Sequence, residues 1–304
     1  MTIRNPLEWS ADQLKFGSRA FRSGGHSVYH PHESVNALRP AICRISTADI
    51  RDALRKGLDD FGAYRTDVIF LCMIYPIVGL VLARALFGYD MVPLLFPLAS
   101  GFAIVGPLAG IGLYEMSRRR EQGVTVGWAD AFGVLRSPSF AAIVVLGLLL
   151  LAILVAWLFA AQAIYSATMG PEPPASIGSF FRDVLTTRPG WTMIGVGIGV
   201  GFLFALLAFS VSVISFPLLL DRKVGVGTAV WTSIMAVASN PGPMALWAVI
   251  VTVGLVAGSI PLLVGLAVVI PVLGHGTWHL YRKVVRREPG QELPVPERGG
   301  PASS

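Results

Sequence analysis

Between Val224 and Tyr281 the chain runs 58 residues without an Asp, Glu, Lys or Arg, and then turns basic at Arg282, Lys283, Arg286 and Arg287. One helical crossing of a bilayer takes roughly 20 apolar residues, so this run is too long for one span and too apolar for a soluble domain. Composition agrees: 14% of residues are charged, against about 25% in an ordinary soluble domain. The net charge of +6 does not point to nucleic acid, because the cations sit in short clusters beside apolar runs. That placement suits anionic headgroups and the control of topology. Cys43 and Cys72 fall in an expected aqueous tail and in the first span, so neither a disulfide framework nor a cysteine metal site is implied. The first forty residues lack the basic-then-apolar pattern of a cleaved signal peptide, and the first span is expected to direct insertion.

Long apolar runs occur at 68–87, 91–114, 140–161 and 191–220, and about forty further residues follow Pro241. A turn at Gly258-Ser259-Ile260-Pro261 divides that last block into two short spans, giving six crossings. The alternative is one long helix kinked at Pro261 and Pro271, with five crossings. Positive clusters lie at Arg51 to Arg65, at Arg118, Arg119, Arg120 and Arg136, at Arg222 and Lys223, and at Arg282 to Arg287. Six crossings put every cluster on one face, the cytoplasmic one, with both termini inside. Five would place the most basic tail outside, against the positive-inside rule.

Each odd-numbered span follows a shorter amphipathic stretch. Between Ser46 and Gly62, Ile50, Ala53, Leu54, Leu58 and Phe61 recur at helical spacing, while Asp49, Arg51, Asp52, Arg55, Lys56, Asp59 and Asp60 face away, and Ser46 or Thr47 caps the start. The second copy, 125–137, carries Trp128, Phe132 and Leu135; the third, 227–239, carries Trp231, Ile234, Met235 and Ala238. Val124-Thr-Val-Gly-Trp-Ala and Val224-Gly-Val-Gly-Thr-Ala agree at four of six positions, which suggests a pseudo-repeat of surface helix plus hairpin. The expected fold is therefore all-α: a polytopic integral membrane protein of about six transmembrane helices with three short interfacial helices. Residues 1–44 form a disordered cytoplasmic tail, 45–285 the helical membrane domain and 286–304 a second disordered tail.

Leu95-Phe-Pro-Leu-Ala-Ser-Gly-Phe-Ala-Ile-Val-Gly-Pro-Leu-Ala-Gly-Ile-Gly-Leu-Tyr-Glu-Met-Ser-Arg-Arg-Arg-Glu and Ile270-Pro-Val-Leu-Gly-His-Gly-Thr-Trp-His-Leu-Tyr-Arg resemble a family of predicted bacterial integral membrane proteins known as domain of unknown function 2189. The likeness covers roughly Arg44 to Val285. It implies a bacterial inner-membrane location and several spans, but no activity, cofactor or site residue.

The residues offer few chemical groups. His275 and His279 are four apart and share a helix face, the weak candidate set for a metal or haem; beside Trp278 and Tyr281 they also read as an interfacial belt. His26, His30 and His32 sit in the glycine-rich tail. Tyr114, Glu115, Arg118, Arg119 and Arg120 form the sharpest polar boundary, with Glu115 able to pair at i+3 and i+4. Together with Trp278 and Tyr281 these residues are the candidate contacts to lipid headgroups or a protein partner. Gly197 and Gly201 form a small-xxx-small helix-packing face, since Gly195 to Gly201 lies inside a span and lacks the strand and polar helix start of a phosphate loop. No Ser-His-Asp arrangement, paired carboxylates or metalloprotease spacing appears, and the middles of the spans carry no carboxylate. The expectation is a non-enzymatic accessory or assembly protein without a cofactor, with the lipid bilayer and another membrane complex or a second copy as partners. The alternative is a transporter or channel for a neutral or apolar solute.

Overall fold

A computed structural model of the chain describes residues 40–72, 84, 92–124, 127–261 and 263–286. The described elements, in order, are α1 (Thr47–Cys72), a 3-10 turn (Val92–Leu94), α2 (Leu95–Ala109), α3 (Ile111–Glu121), a 3-10 helix (Trp128–Arg136), α4 (Phe140–Met169), α5 (Ile177–Thr186), α6 (Arg188–Ser212), α7 (Ser215–Asp221), α8 (Val226–Ser239), α9 (Pro241–Ser259) and α10 (Leu266–Val284). Among the described residues there is no strand beyond one antiparallel bridge between Ile42 and Val285. Most of the first expected span, and the tails 1–39 and 287–304, lie outside the described residues.

Among the described residues, three stretches are long and apolar enough to cross a bilayer: Phe140–Met169, the α6–α7 pair over Arg188–Asp221, and Pro241–Ser259, with mean hydropathies of 3.1, 2.4 and 1.7. They coincide with the third, fourth and fifth expected spans. The second is interrupted. Helix α2 carries Pro107 and stops at Ala109, and α3 restarts at Ile111. At Gly110 between them a Cβ would lie 3.0 Å from the Tyr114 hydroxyl, so the break closes under that ring. The block after Pro241 forms two helices and not one kinked helix: α9 ends at Ser259, Leu263 turns with φ of 67°, and α10 begins at Leu266. This turn needs glycine, since a Cβ on Gly265 would sit 2.7 Å from the Gly258 carbonyl oxygen.

Hydroxyls inside the helices bond back along their own backbones: Ser212 to the Ala208 carbonyl (2.6 Å), Thr252 to Ala248 (2.8 Å) and Ser259 to Leu255 (2.8 Å). The buried interior is largely aliphatic, with a few large aromatic side chains among it. The Trp157 indole donates to the Pro97 carbonyl at 2.9 Å and packs against Phe204, its ring lying where a Cβ on Gly201 would meet it at 3.1 Å. Gly201 is thus a true packing glycine. Gly197, one turn away, has no neighbour within 4 Å of its would-be Cβ and joins no such face.

The surface-helix expectation changes in detail. Helix α1 is capped at Ser46, whose N–H and hydroxyl both reach Asp49 Oδ2 at 2.9 Å, and it packs lengthwise against α10. Its inner stripe is Ile50, Ala53, Gly57 and Asp60, whereas Leu58 is exposed. Gly57 decides this, because its missing side chain lets α1 settle on the backbone of Val272 and Gly276. The second copy is a 3-10 helix with Ala131 and Val134 buried and Leu135 exposed; the side chains of Trp128 and Phe132 lie outside the described residues. In α8 the inner face is Ala229, Thr232, Ser233 and Ala236, and Trp231 and Ile234 point outward. Small and hydroxyl residues fit the helix interface there, and the large apolar ones face what would be lipid.

Candidate functional site

One end of the bundle gathers the charged residues of five elements. Helix α3 serves two networks at once, because its 3.6-residue period sends Glu115, Arg118 and Arg119 one way and Ser117, Arg120 and Glu121 another. Glu115, buried, accepts from Arg118 Nε and Nη2 at 2.7 and 2.8 Å and from Arg119 Nε at 2.7 Å. Both expected pairings therefore form at once. Arg119 continues to Asp130, which caps the 3-10 helix by accepting from Gly127 N–H at 2.9 Å. The same glutamate thus fixes the entry to α4 as well as the end of α3.

A second network centres on Asp60, which is only 5% exposed. Its Oδ2 accepts from the Ser117 hydroxyl at 2.6 Å and from His279 Nε2 at 2.9 Å, and its Oδ1 pairs with Arg120. Ser117 Oγ also lies 2.7 Å from His275 Nδ1. Ser117 has one proton and gives it to Asp60, so His275 must donate from Nδ1, which fixes its tautomer. His275 is fully buried, and its Nε2 has no hydrogen-bond partner among the described residues. As a bare lone pair that atom is tolerable; a second proton would bury an unsatisfied N–H, so the surroundings keep the ring neutral. Burial alone would raise the Asp60 carboxyl, but the hydrogen bonds from His279 and Ser117 outweigh it and hold the group below its ordinary 3.8.

The third part ties α7 to α10. Asp221 Oδ2 accepts from the Tyr281 hydroxyl at 2.6 Å and Arg282 Nη1 at 3.1 Å, while Glu121 receives the Trp278 indole N–H and Arg282 Nε, each at 3.3 Å. Lys283 reaches across to Asp52 at 2.9 Å and Asp49 at 3.5 Å on α1, and the hydrogen bond with Asp52 raises its ammonium pKa. Between α1, α3 and α10 a cleft of about 360 Å³ opens, lined by Lys56, Asp59, Asp60, Ser117, Arg120, Glu121 and His279. It presents groups of both signs over a floor already locked by the Asp60 bonds.

The expected site residues converge here, but not as a surface. Tyr114, Glu115, Trp278 and Tyr281 are buried in the knot, and Arg118, Arg119 and Arg120 are half-buried. His275 and His279 do not face a common ion: one binds Ser117 and the other Asp60. Among the described residues no group of three His, Cys, Asp or Glu side chains is arranged to hold a metal. Asp60 was missed because its helical position reads as solvent-facing. Gly57, three residues earlier and lacking a side chain, is the signal that this face is packed.

Residues 95–221 match the family DUF2189, described as a predicted integral membrane protein. The match runs from α2 through α7, so Ser117, Arg120, Glu121 and Asp221 lie inside it, and Asp60, His275 and His279 outside. The family description and the apolar helices together make the chain a membrane protein. No curated protein and no solved structure matches the chain.

Proposed function

We propose that the chain is a non-enzymatic, multi-pass protein of the bacterial inner membrane that works through contacts with lipid headgroups or another membrane protein at its charged end, which faces the cytoplasm together with both termini. The observation carrying this reading is the mixed-charge cleft above Asp60. Its walls come from three helices fixed by buried pairs, so a headgroup or a partner's polar side chains would meet a preorganised surface. The positive clusters beside it favour the cytoplasmic face. Purification of the native assembly in mild detergent, with co-purifying proteins and lipids read by mass spectrometry, tests it. A reproducible partner or a retained lipid lost on Arg120→Ala would support it. A bare chain with no retained lipid would count against it.

A transporter for a small solute is the second reading, and one observation favours it. The line His279, Asp60, Ser117, His275 leads hydrogen bonds from the cleft into the fully buried interior. Replacing Asp60 by Asn breaks the line while keeping the shape. Solute or proton flux in vesicles that is present in the wild type and lost in Asp60→Asn would establish this reading in place of the first.

A further inference from the structure

We propose that α5 lies in the plane of the bilayer interface at the end of the molecule opposite the charged knot, with Ile177, Phe181, Leu185 and the adjoining Trp191 set into the boundary between headgroups and acyl chains. Between α4 and α6 the chain folds as a helix capped at its start by reciprocal Ser176 and Ser179 bonds at 3.0 and 3.1 Å. Its apolar arc is divided. Phe180 and Val184 turn inward, Phe180 meeting the ring of Tyr165 on α4 at 6.3 Å between centroids. Ile177, Phe181 and Leu185, four residues apart, are exposed, and Ser179, Arg182, Asp183 and Thr186 occupy the opposite arc.

What covers the exposed half follows from its neighbours. The helices that α5 joins carry outward-facing Phe159 on α4 and Trp191, Ile198 and Phe202 on α6, and those helices are apolar enough to span a membrane. The surface that covers the spans therefore extends over α5. Length agrees: the 30 residues of α4 reach about 45 Å at roughly 1.5 Å per residue, well beyond a hydrocarbon core of about 30 Å, so the last turns of α4 emerge at headgroup level. The corner is rigid. A Cβ on Gly190 would fall 2.3 Å from the Val184 carbonyl oxygen, and the Trp191 indole donates to the Leu185 carbonyl at 3.0 Å, which leaves the ring in the position of an interfacial anchor.

The test uses the full chain with both cysteines replaced by serine, nitroxide labels placed singly at 177, 179, 181, 182, 183 and 185, and vesicles of phosphatidylethanolamine and phosphatidylglycerol. Labels at 177, 181 and 185 are expected to relax with oxygen and resist a water-soluble nickel chelate, with the order reversed at 179, 182 and 183. All six labels open to nickel would overturn the proposal. So would labels at 181 and 185 shielded from both reagents, which would mean a second copy or another protein covers the face. Brominated-lipid quenching supplies an independent readout: Trp191→Phe should remove a quenched component of the tryptophan emission, and loss of only unquenched emission would refute the placement.

Discussion

Exchanging Gly57 for alanine and, separately, Gly62 for alanine sets the same substitution, in the same helix, against opposite surroundings. In a helix interior alanine is favoured over glycine by about 1 kcal/mol. At Gly62 nothing lies within 4 Å of the added Cβ, so Gly62→Ala should stabilise by about 0.5–1 kcal/mol. At Gly57 the Cβ would sit 2.7 Å from both Gly276 N and the Val272 carbonyl oxygen, about 0.7 Å inside ordinary contact. Those atoms are backbone, and no rotamer change relieves them, so α1 must move away from α10. Overpacking of this kind costs about 1–3 kcal/mol, and the move also strains Asp60 three residues on, with its bonds to Ser117 and His279. The net expectation is a loss of up to about 2 kcal/mol once the propensity gain is subtracted. SDS-driven unfolding in mixed micelles, followed by far-ultraviolet circular dichroism, should place Gly57→Ala below the wild type and Gly62→Ala at or above it. Equal midpoints for the two variants would refute the close α1–α10 contact.

Asp60→Ala should cost about 1–3 kcal/mol, because it leaves the buried Ser117 hydroxyl without its acceptor and removes the carboxylate that His279 and Arg120 share, whereas Asp60→Asn should cost less. Since the folded-state pKa of Asp60 is lowered, its contribution is present above the unfolded value near 3.8 and disappears as the pH falls through the folded value. The thermal stability gap between wild type and Asp60→Asn should thus close below pH ~4. Trp157→Ala removes an indole hydrogen-bonded to Pro97 and wedged against Gly201 and Phe204, and a loss of about 3–5 kcal/mol in the same unfolding assay is expected. Asn240→Ala deletes bonds to Ile45 N–H (2.8 Å) and to the Cys43 and Ala236 carbonyls (3.2 and 3.1 Å). About 1 kcal/mol for each is expected, together with faster proteolysis between residues 40 and 46.

Helical class and the positions of the most apolar helices were legible in the sequence because long uncharged runs have few other solutions. The turn near Ser259 was legible from glycine and proline, and the Glu115 pairs from spacing alone. The faces of the surface helices were not. Periodicity identifies which residues share a stripe, but assigning the apolar stripe to the inside assumes water on the other side. On α8 and α5, Trp231, Ile234, Phe181 and Leu185 face outward, and Ser233 turns in, accepting from Ile214 N–H at 3.2 Å. Asp60 is hidden for a related reason: its partners lie 57, 60 and 219 residues away, beyond anything local spacing can report.

The distribution of ion pairs also bears on how the helices stay together. In hydrocarbon, apolar surface gives no net drive for helices to associate, which leaves close backbone contact and polar bonds. Close contact is supplied where glycine permits it, at Gly57 on Gly276, Gly201 under Trp157 and Gly258 against Gly265. Ionised groups are too costly at the bilayer centre, and here the pairs joining different elements collect at one end, through Asp60, Asp130, Glu121 and Asp221. At the other end, among the described residues, no ion pair holds the α4–α5–α6 hairpin; Tyr165 does so with a 2.8 Å bond to the Glu172 carbonyl and a ring contact to Phe180. The charged end is therefore set by the protein itself. The α5 end depends on the interface that covers it, and changes in bilayer thickness or headgroup packing should act there first, leaving the cleft over Asp60 unchanged.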